Sequence, residues 1–138
     1  MARSAVADVS ETAHWVAVYR AEESERPDAL FKDPWAGRLA GDRGHQIASQ
    51  IGGSQYVRWS VVTRTVVIDA FIRDRVASGV DAVLNLGAGL DTRPYRMSLP
   101  ASLKWIEVDY PHMIDFKEGM LQGEKPTCQL ERVRLDLS

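Results

Sequence analysis

The stretch Ala82-Val83-Leu84-Asn85-Leu86-Gly87-Ala88-Gly89-Leu90-Asp91-Thr92 decides how the chain is read. Its first five residues form a nearly continuous apolar run that stops at a glycine, and a second glycine follows one residue later. A short apolar run bounded in this way reads as a buried parallel strand. Gly87 and Gly89 permit positive φ and remove the Cβ that would keep a ligand off the backbone. In α/β folds such a turn lies at the carboxyl end of a strand, where ligands bind. The competing reading of the two glycines is a plain tight turn.

Downstream, Leu103 to Val108 reads as a second strand, carrying Trp105, Ile106 and Val108. Pro111 opens a helix over His112 to Leu121, with Met113, Phe116 and Met120 on one side, and Gly123, Lys125 and Pro126 end it. A third strand is expected near Arg132 to Leu137, and Thr92 to Met97 has room for one or two helical turns. Parallel strands with helical crossovers imply a layered α/β domain with right-handed connections. Asp109 ends the second strand, 20 residues after Gly89. A carboxylate there can accept hydrogen bonds from both hydroxyls of an adenosine ribose. Its alternative is a cap for the helix that Pro111 opens.

Upstream of the strand the sequence is helical. Val9 to Glu23 carries Ala13, Val16, Ala17 and Arg20 at helical spacing, with Ser10 as N-cap, and Arg26-Pro27-Asp28 breaks it. Asp33-Pro34 reads as a cap and a first-turn proline for a short helix through Leu39. Gly41, Gly44, Gly52 and Gly53 keep any helix after it short. A longer helix starts at Gln55 or Ser60 and reaches Ala77, with Val61, Thr65, Ile68, Ile72 and Val76 on its apolar stripe. Ser78-Gly79 ends it. The 138 residues are enough for one domain, with residues 1–77 as a helical N-terminal or lid segment and residues 78–138 as the front of a cofactor-binding domain.

The glycine loop also discriminates between cofactors. A dinucleotide fingerprint wants a third glycine at position 92, where this chain has Thr92. The carboxylate of Asp91 would repel a pyrophosphate and suits a cofactor with an ammonium group. Asp91 is equally placed to cap the turn that follows.

Composition excludes several classes. A formal net charge of -2, with both signs mixed along the chain, gives no electrostatic reason to expect nucleic acid or an anionic membrane as partner. The hydrophobic and charged fractions, 45% and 26%, are those of a globular protein. Cys128 is the single cysteine, so no internal disulfide forms, and its neighbours Thr127 and Gln129 offer nothing to activate the thiol. No apolar run approaches the roughly 18 residues of a membrane helix, and Arg3, Asp8 and Glu11 flank no apolar signal core. The expected compartment is the cytoplasm. His14, His45 and His112 have no metal-site spacing.

Asn85-Leu86-Gly87-Ala88-Gly89-Leu90-Asp91-Thr92-Arg93-Pro94-Tyr95-Arg96 resembles the glycine motif of the leucine carboxyl methyltransferase family, in particular its bacterial branch of S-adenosylmethionine-dependent enzymes. Phe31-Lys32-Asp33-Pro34-Trp35-Ala36 resembles that family's Asp-Pro-x-Ala segment, and Arg64-Thr65 with Asp69-Ala70-Phe71 its helix before the first strand. Glu107-Val108-Asp109-Tyr110-Pro111 resembles its second-strand motif, so the resemblance runs from about residue 13 to the end.

The resemblance implies a Rossmann-like class I methyltransferase sheet, N-terminal half only, preceded by a helical lid segment, with S-adenosyl-L-methionine as cofactor. It implies that Gly87 lies against the cofactor and that Asp109 holds the ribose; from the loop itself, Gly89 is expected beside the ligand and Asp91 near its ammonium. By the same resemblance, Asp136 and Leu137, at the end of the third strand, contact the adenine, and Arg64 pairs with the methionine carboxylate. Arg93, Tyr95 and Arg96 read better as a helical turn covering the sheet edge, and Trp15 and Tyr19 better as core than as a lid. The partner implied is a small-molecule methyl acceptor with a carboxylate or hydroxyl oxygen. Family members are about twice this length, and the strand that would flank Ala82 to Leu86 on its other side is absent. The chain is therefore expected to be a fragment whose open apolar edge associates with a second copy or a complementary chain. The competing classes are a nicotinamide- or flavin-dependent oxidoreductase, against which Thr92 counts, and a truncated module that binds cofactor or partner without catalysis.

Overall fold

A computed structural model describes residues 9–51 and 55–138, so Arg3, Asp8, Gly52 and Gly53, used above, lie outside the described residues. The chain divides into two compact units, Met1–Val67 and Ile68–Ser138.

In the first unit, helix α1 (Val9–Glu25) packs on α2 (Ala36–Ile51), burying Ala17, Val18, Tyr19, Leu39, Ala40 and Ile47. Ser10 lies inside the first turn of α1 and is not its cap. Asp33 does cap α2: its Oδ1 accepts from the backbone N–H of Trp35 (3.2 Å) and Ala36 (3.0 Å), while its Oδ2 accepts from Arg20 Nε at 3.0 Å. One buried carboxylate thus starts α2 and ties it to α1. The helix kinks at Gly41 (φ 57°). Trp15 Nε1 donates to the Tyr19 hydroxyl at 3.0 Å, and Tyr19 is buried, which is the core role.

Helix α3 (Gln55–Ala77) begins in the first unit and ends in the second. Val61 and Thr65 are buried as the stripe requires, but Ile68 is exposed. Gly79, at φ 102°, follows its end.

The second unit then runs β1 (Ala82–Leu86), α4 (Arg93–Arg96), β2 (Lys104–Asp109), α5 (Pro111–Met120) and β3 (Gln129–Arg134). The three strands pair in parallel in the order β1-β2-β3. Val83, Trp105 and Leu130 stand abreast, as do Asn85, Glu107 and Arg132, and as do Leu86, Val108 and Val133. The core is built on the first row: Met97, Leu99, Leu103, Trp105 and Cys128 are buried, with Val83, Leu130, Ile72 and Val76 packed against them.

Further expectations need correction: the helix that Asp33 caps does not stop at Leu39 but runs through the kink at Gly41 to Ile51. Strand β1 is not buried on both faces: Leu84 and Leu86 are 61% and 60% exposed, because the helices that touch the sheet do so on the Val83 and Asn85 side. Strand β3 starts three residues earlier than its apolar residues indicate and ends at Arg134, since pairing with β2 sets its register. Helix α5 buries Met113, Ile114 and Lys117 rather than the Phe116 side. Among the described residues no helix is long and apolar enough to cross a membrane.

Candidate cofactor site

The glycine loop is folded back over the end of β2. The amides of Gly87 and Ala88 both donate to the Val108 carbonyl, at 2.8 and 3.2 Å. Gly87 and Gly89 have φ of 64° and 52°, a region in which a Cβ costs about 1–2 kcal/mol. Gly87 is exposed, and a Cβ placed on it would meet nothing within 4 Å. Its glycine is therefore needed for backbone conformation, and the space in front of it is open.

Asp109 joins the loop to the strand end. Its Oδ2 accepts from the Gly89 amide at 2.6 Å and its Oδ1 from the Tyr110 amide at 2.7 Å. A carboxylate has about four acceptor positions, so each oxygen retains capacity for a ligand hydroxyl. The capping alternative is not what forms: the N-cap of α5 is Tyr110, with no side-chain cap hydrogen bond and Pro111 in the first turn.

Asp91 has a different place. Its Oδ1 accepts from the Arg93 amide (2.8 Å), and its Oδ2 accepts from Arg93 Nη1 (2.8 Å) and Asn85 Nδ2 (2.9 Å). These are the contacts of a turn cap, and Arg93 pairs with its charge. Arg93 Nε also donates to Asp69 Oδ1 at 2.7 Å, and Arg96 forks onto the same carboxylate at 2.6 and 2.9 Å. Burial disfavours the charge on Arg93, but Asp91 and Asp69 outweigh it and raise its pKa.

A second ionic cluster lies on the Asn85 row. Glu107 accepts from Lys117 Nζ (2.8 Å) and Arg132 Nε (2.9 Å), and Arg132 Nη2 donates to the Tyr95 hydroxyl (2.7 Å). Lys117 and Glu107 are both 1% exposed. Burial pushes the Lys117 pKa down, a shift that Glu107 and Asp91 only partly oppose. Arg93 and Arg96 form the expected helical turn, which lies over a face of the sheet rather than its edge, whereas Asp69, Glu107, Lys117 and Arg132 are not among the site residues expected from sequence. Their signal was present. Asp69 lies on the stripe of Val61 and Thr65, Glu107 interrupts the apolar run of β2, and Lys117 follows Met113 by one helical turn. A charge on an inward-facing stripe demands a partner.

Asp136, Leu137 and Arg64 make none of these hydrogen bonds. Asp136 lies two residues past β3, exposed, accepting from the Ser138 amide (2.8 Å) and hydroxyl, which lowers its pKa. Leu137 is exposed beside it. Arg64 is exposed on α3 in a groove of about 440 Å³ with Tyr56, Trp59, Ser60, Thr63 and Val67. Among the described residues it has no hydrogen-bond or ion-pair partner. Within the same limits, no three His, Cys, Asp or Glu side chains cluster to hold a metal.

A parallel sheet, a positive-φ glycine loop at the carboxyl end of β1 and an acid at the end of β2 are the arrangement of a partial Rossmann-like fold, in which ligands bind at the strand ends. The sequence model of the leucine carboxyl methyltransferase family matches residues 13–138, and the chain belongs to that family. A relative from Mycobacteroides abscessus, named "Putative S-adenosyl-L-methionine-dependent methyltransferase", is 38% identical over 143 aligned positions, covering 96% of this chain and 46% of the relative. Similarly named proteins from Streptomyces coelicolor (38% identical, 88% of this chain and 46% of the relative) and Saccharopolyspora erythraea (34%, 96% and 49%) also match. The chain spans about half the length of these curated relatives.

Proposed function

We propose that this chain forms the S-adenosyl-L-methionine-binding part of a methyltransferase, and that the whole protein methylates a carboxylate or hydroxyl oxygen of a small molecule. The observation that carries the reading is the joint at Asp109, whose carboxylate is held by the amides of Gly89 and Tyr110 and keeps acceptor capacity beside the open space at Gly87. The donor set fits the cofactor: a carboxylate for two ribose hydroxyls, and bare backbone where a side chain would intrude.

S-adenosylmethionine, when bound, would supply a sulfonium-borne methyl group for in-line attack by an acceptor oxygen at its carbon, with S-adenosylhomocysteine as the leaving group. The chain's own part is positional. Gly87 leaves room at the backbone, and Gly89 holds the Asp109 carboxylate toward the loop. Family membership is the ground for assigning Arg64 to the methionine carboxylate and Asp136 and Leu137 to the adenine. A carboxylate acceptor would need no base, whereas a hydroxyl would need one.

Calorimetric titration with S-adenosylhomocysteine, and separately with NAD, tests this. S-adenosylhomocysteine is expected to bind and NAD not to. Asp109→Ala should weaken the former by about 10- to 100-fold, the loss of charge-assisted hydrogen bonds worth about 1.5–3 kcal/mol. Binding of NAD alone would replace the reading with the oxidoreductase one, and binding of neither would leave the non-catalytic module.

A further inference from the structure

We propose that Asp69, on the helix that precedes the sheet, is a positioning residue for the glycine loop, acting through Arg93 and Asp91. The inference rests on the cofactor reading above and adds a residue that does not touch the cofactor. Asp69 lies 18 residues before Gly87 in sequence, yet its side chain is 2% exposed. Both of its oxygens are taken by arginine forks. Arg96 bridges Oδ1 and Oδ2, and Arg93 Nε reaches Oδ1.

Arg93 is the shared element. Its Nε is on Asp69, from the helix before β1, and its Nη1 is on Asp91, from the loop after β1. Asp91 in turn receives Asn85 Nδ2 from the last part of β1 and the Arg93 amide from the start of α4. The two ends of the segment from residue 85 to residue 93 therefore converge on the Asp91 carboxylate. Where that carboxylate sits is fixed by the planar guanidinium of Arg93, and the guanidinium is fixed by Asp69. A loop with two positive-φ glycines has many accessible conformations, so its ordering needs a constraint from outside. A binding loop that populates its competent conformation a tenth of the time has an apparent Kd about tenfold weaker.

The test uses the whole chain and two readouts: hydrogen exchange of the loop amides without ligand, and calorimetric affinity for S-adenosylhomocysteine. Asp69→Asn and Arg93→Lys, the second keeping the charge but losing the fork, should both speed exchange at Ala88 to Asp91. Both should weaken affinity about tenfold. Asp33→Asn, which breaks a buried ion pair in the other compact unit, should lower Tm and move neither readout. Loop exchange and Kd that stay at wild-type values in folded Asp69→Asn would overturn the proposal. If that variant does not fold, Arg93→Lys decides by the same criterion. If the wild type fails to bind S-adenosylhomocysteine, the cofactor reading falls, and loop exchange alone decides whether Asp69 orders the segment.

Discussion

The two faces of the sheet differ in how far they are covered. On the covered face the charged row of Asn85, Glu107 and Arg132 lies beside the apolar row of Val83, Trp105 and Leu130, while on the other face Leu84, Leu86 and Val133 are exposed and only Val108, between the last two, is buried. Right-handed crossovers place both connecting helices on one side of a parallel sheet. Tyr95 of α4 and Lys117 of α5 indeed both reach the Glu107 and Arg132 row. Burial in this chain follows what is packed over a strand, not the polarity of its residues. The covered face carries its charges by pairing them, and the bare face gains little from its leucines.

Breaking the covered face should give the largest effect. Glu107→Ala leaves Lys117 and Arg132 buried without their shared carboxylate, and losing one partner of a buried pair costs about 3–5 kcal/mol. Thermal denaturation followed by circular dichroism should show a large fall in Tm or no folded state. A Tm near that of the wild type would mean that the cluster is hydrated in solution.

A smaller effect sharpens the same point through pH. The folded-state pKa of Lys117 lies below the ordinary value of 10.5, chiefly through desolvation. In the window between the two values the unfolded chain binds more protons than the folded one, so stability rises with pH there. Tm measured across the alkaline range up to 10.5 should therefore rise for the wild type relative to Lys117→Met. Parallel curves for the two proteins would contradict this.

The smallest stability effect belongs to the bare face. Leu84→Ser should change stability by no more than about 0.5 kcal/mol, as a surface substitution does. It should also shift size-exclusion elution of concentrated protein toward the 15.4 kDa monomer, because an open apolar edge promotes association. A cost of the size expected in a core would show that this face is covered.

The same contrast explains what could be read from the sequence. The strand, the Gly-x-Gly turn and Asp109 were legible because each has a local cause: an apolar run, a need for positive φ and a strand-end acid at fixed spacing. The cap at Asp33 and the end of α3 were legible for the same reason. Strand β3 was misplaced because Val133, Leu135 and Leu137 form the apolar alternation, yet two of them lie beyond the strand and all three are exposed. Its register comes from β2, a non-local partner. Lys117 is hard to read because lysine is nearly always solvated, and its burial is offset by the Glu107 carboxylate across the fold, with a further contribution from Asp91. Asp91 had two readings that no local rule separates. The turn-capping contacts with Arg93 are in place, and they leave the contact with a cofactor ammonium as it stood.

On the proposed reading the Gly87–Gly89 turn lies against the methyl donor and Asp109 holds its ribose. The most direct test of that reading is a titration of ¹⁵N-labelled chain with S-adenosylhomocysteine, following backbone amides. The largest shifts are expected at Gly87, Gly89 and Tyr110, the turn and the two amides bonded to Asp109, and the response should be lost in Asp109→Ala. Saturable binding that leaves those three amides unmoved, or that survives the substitution intact, would contradict the account.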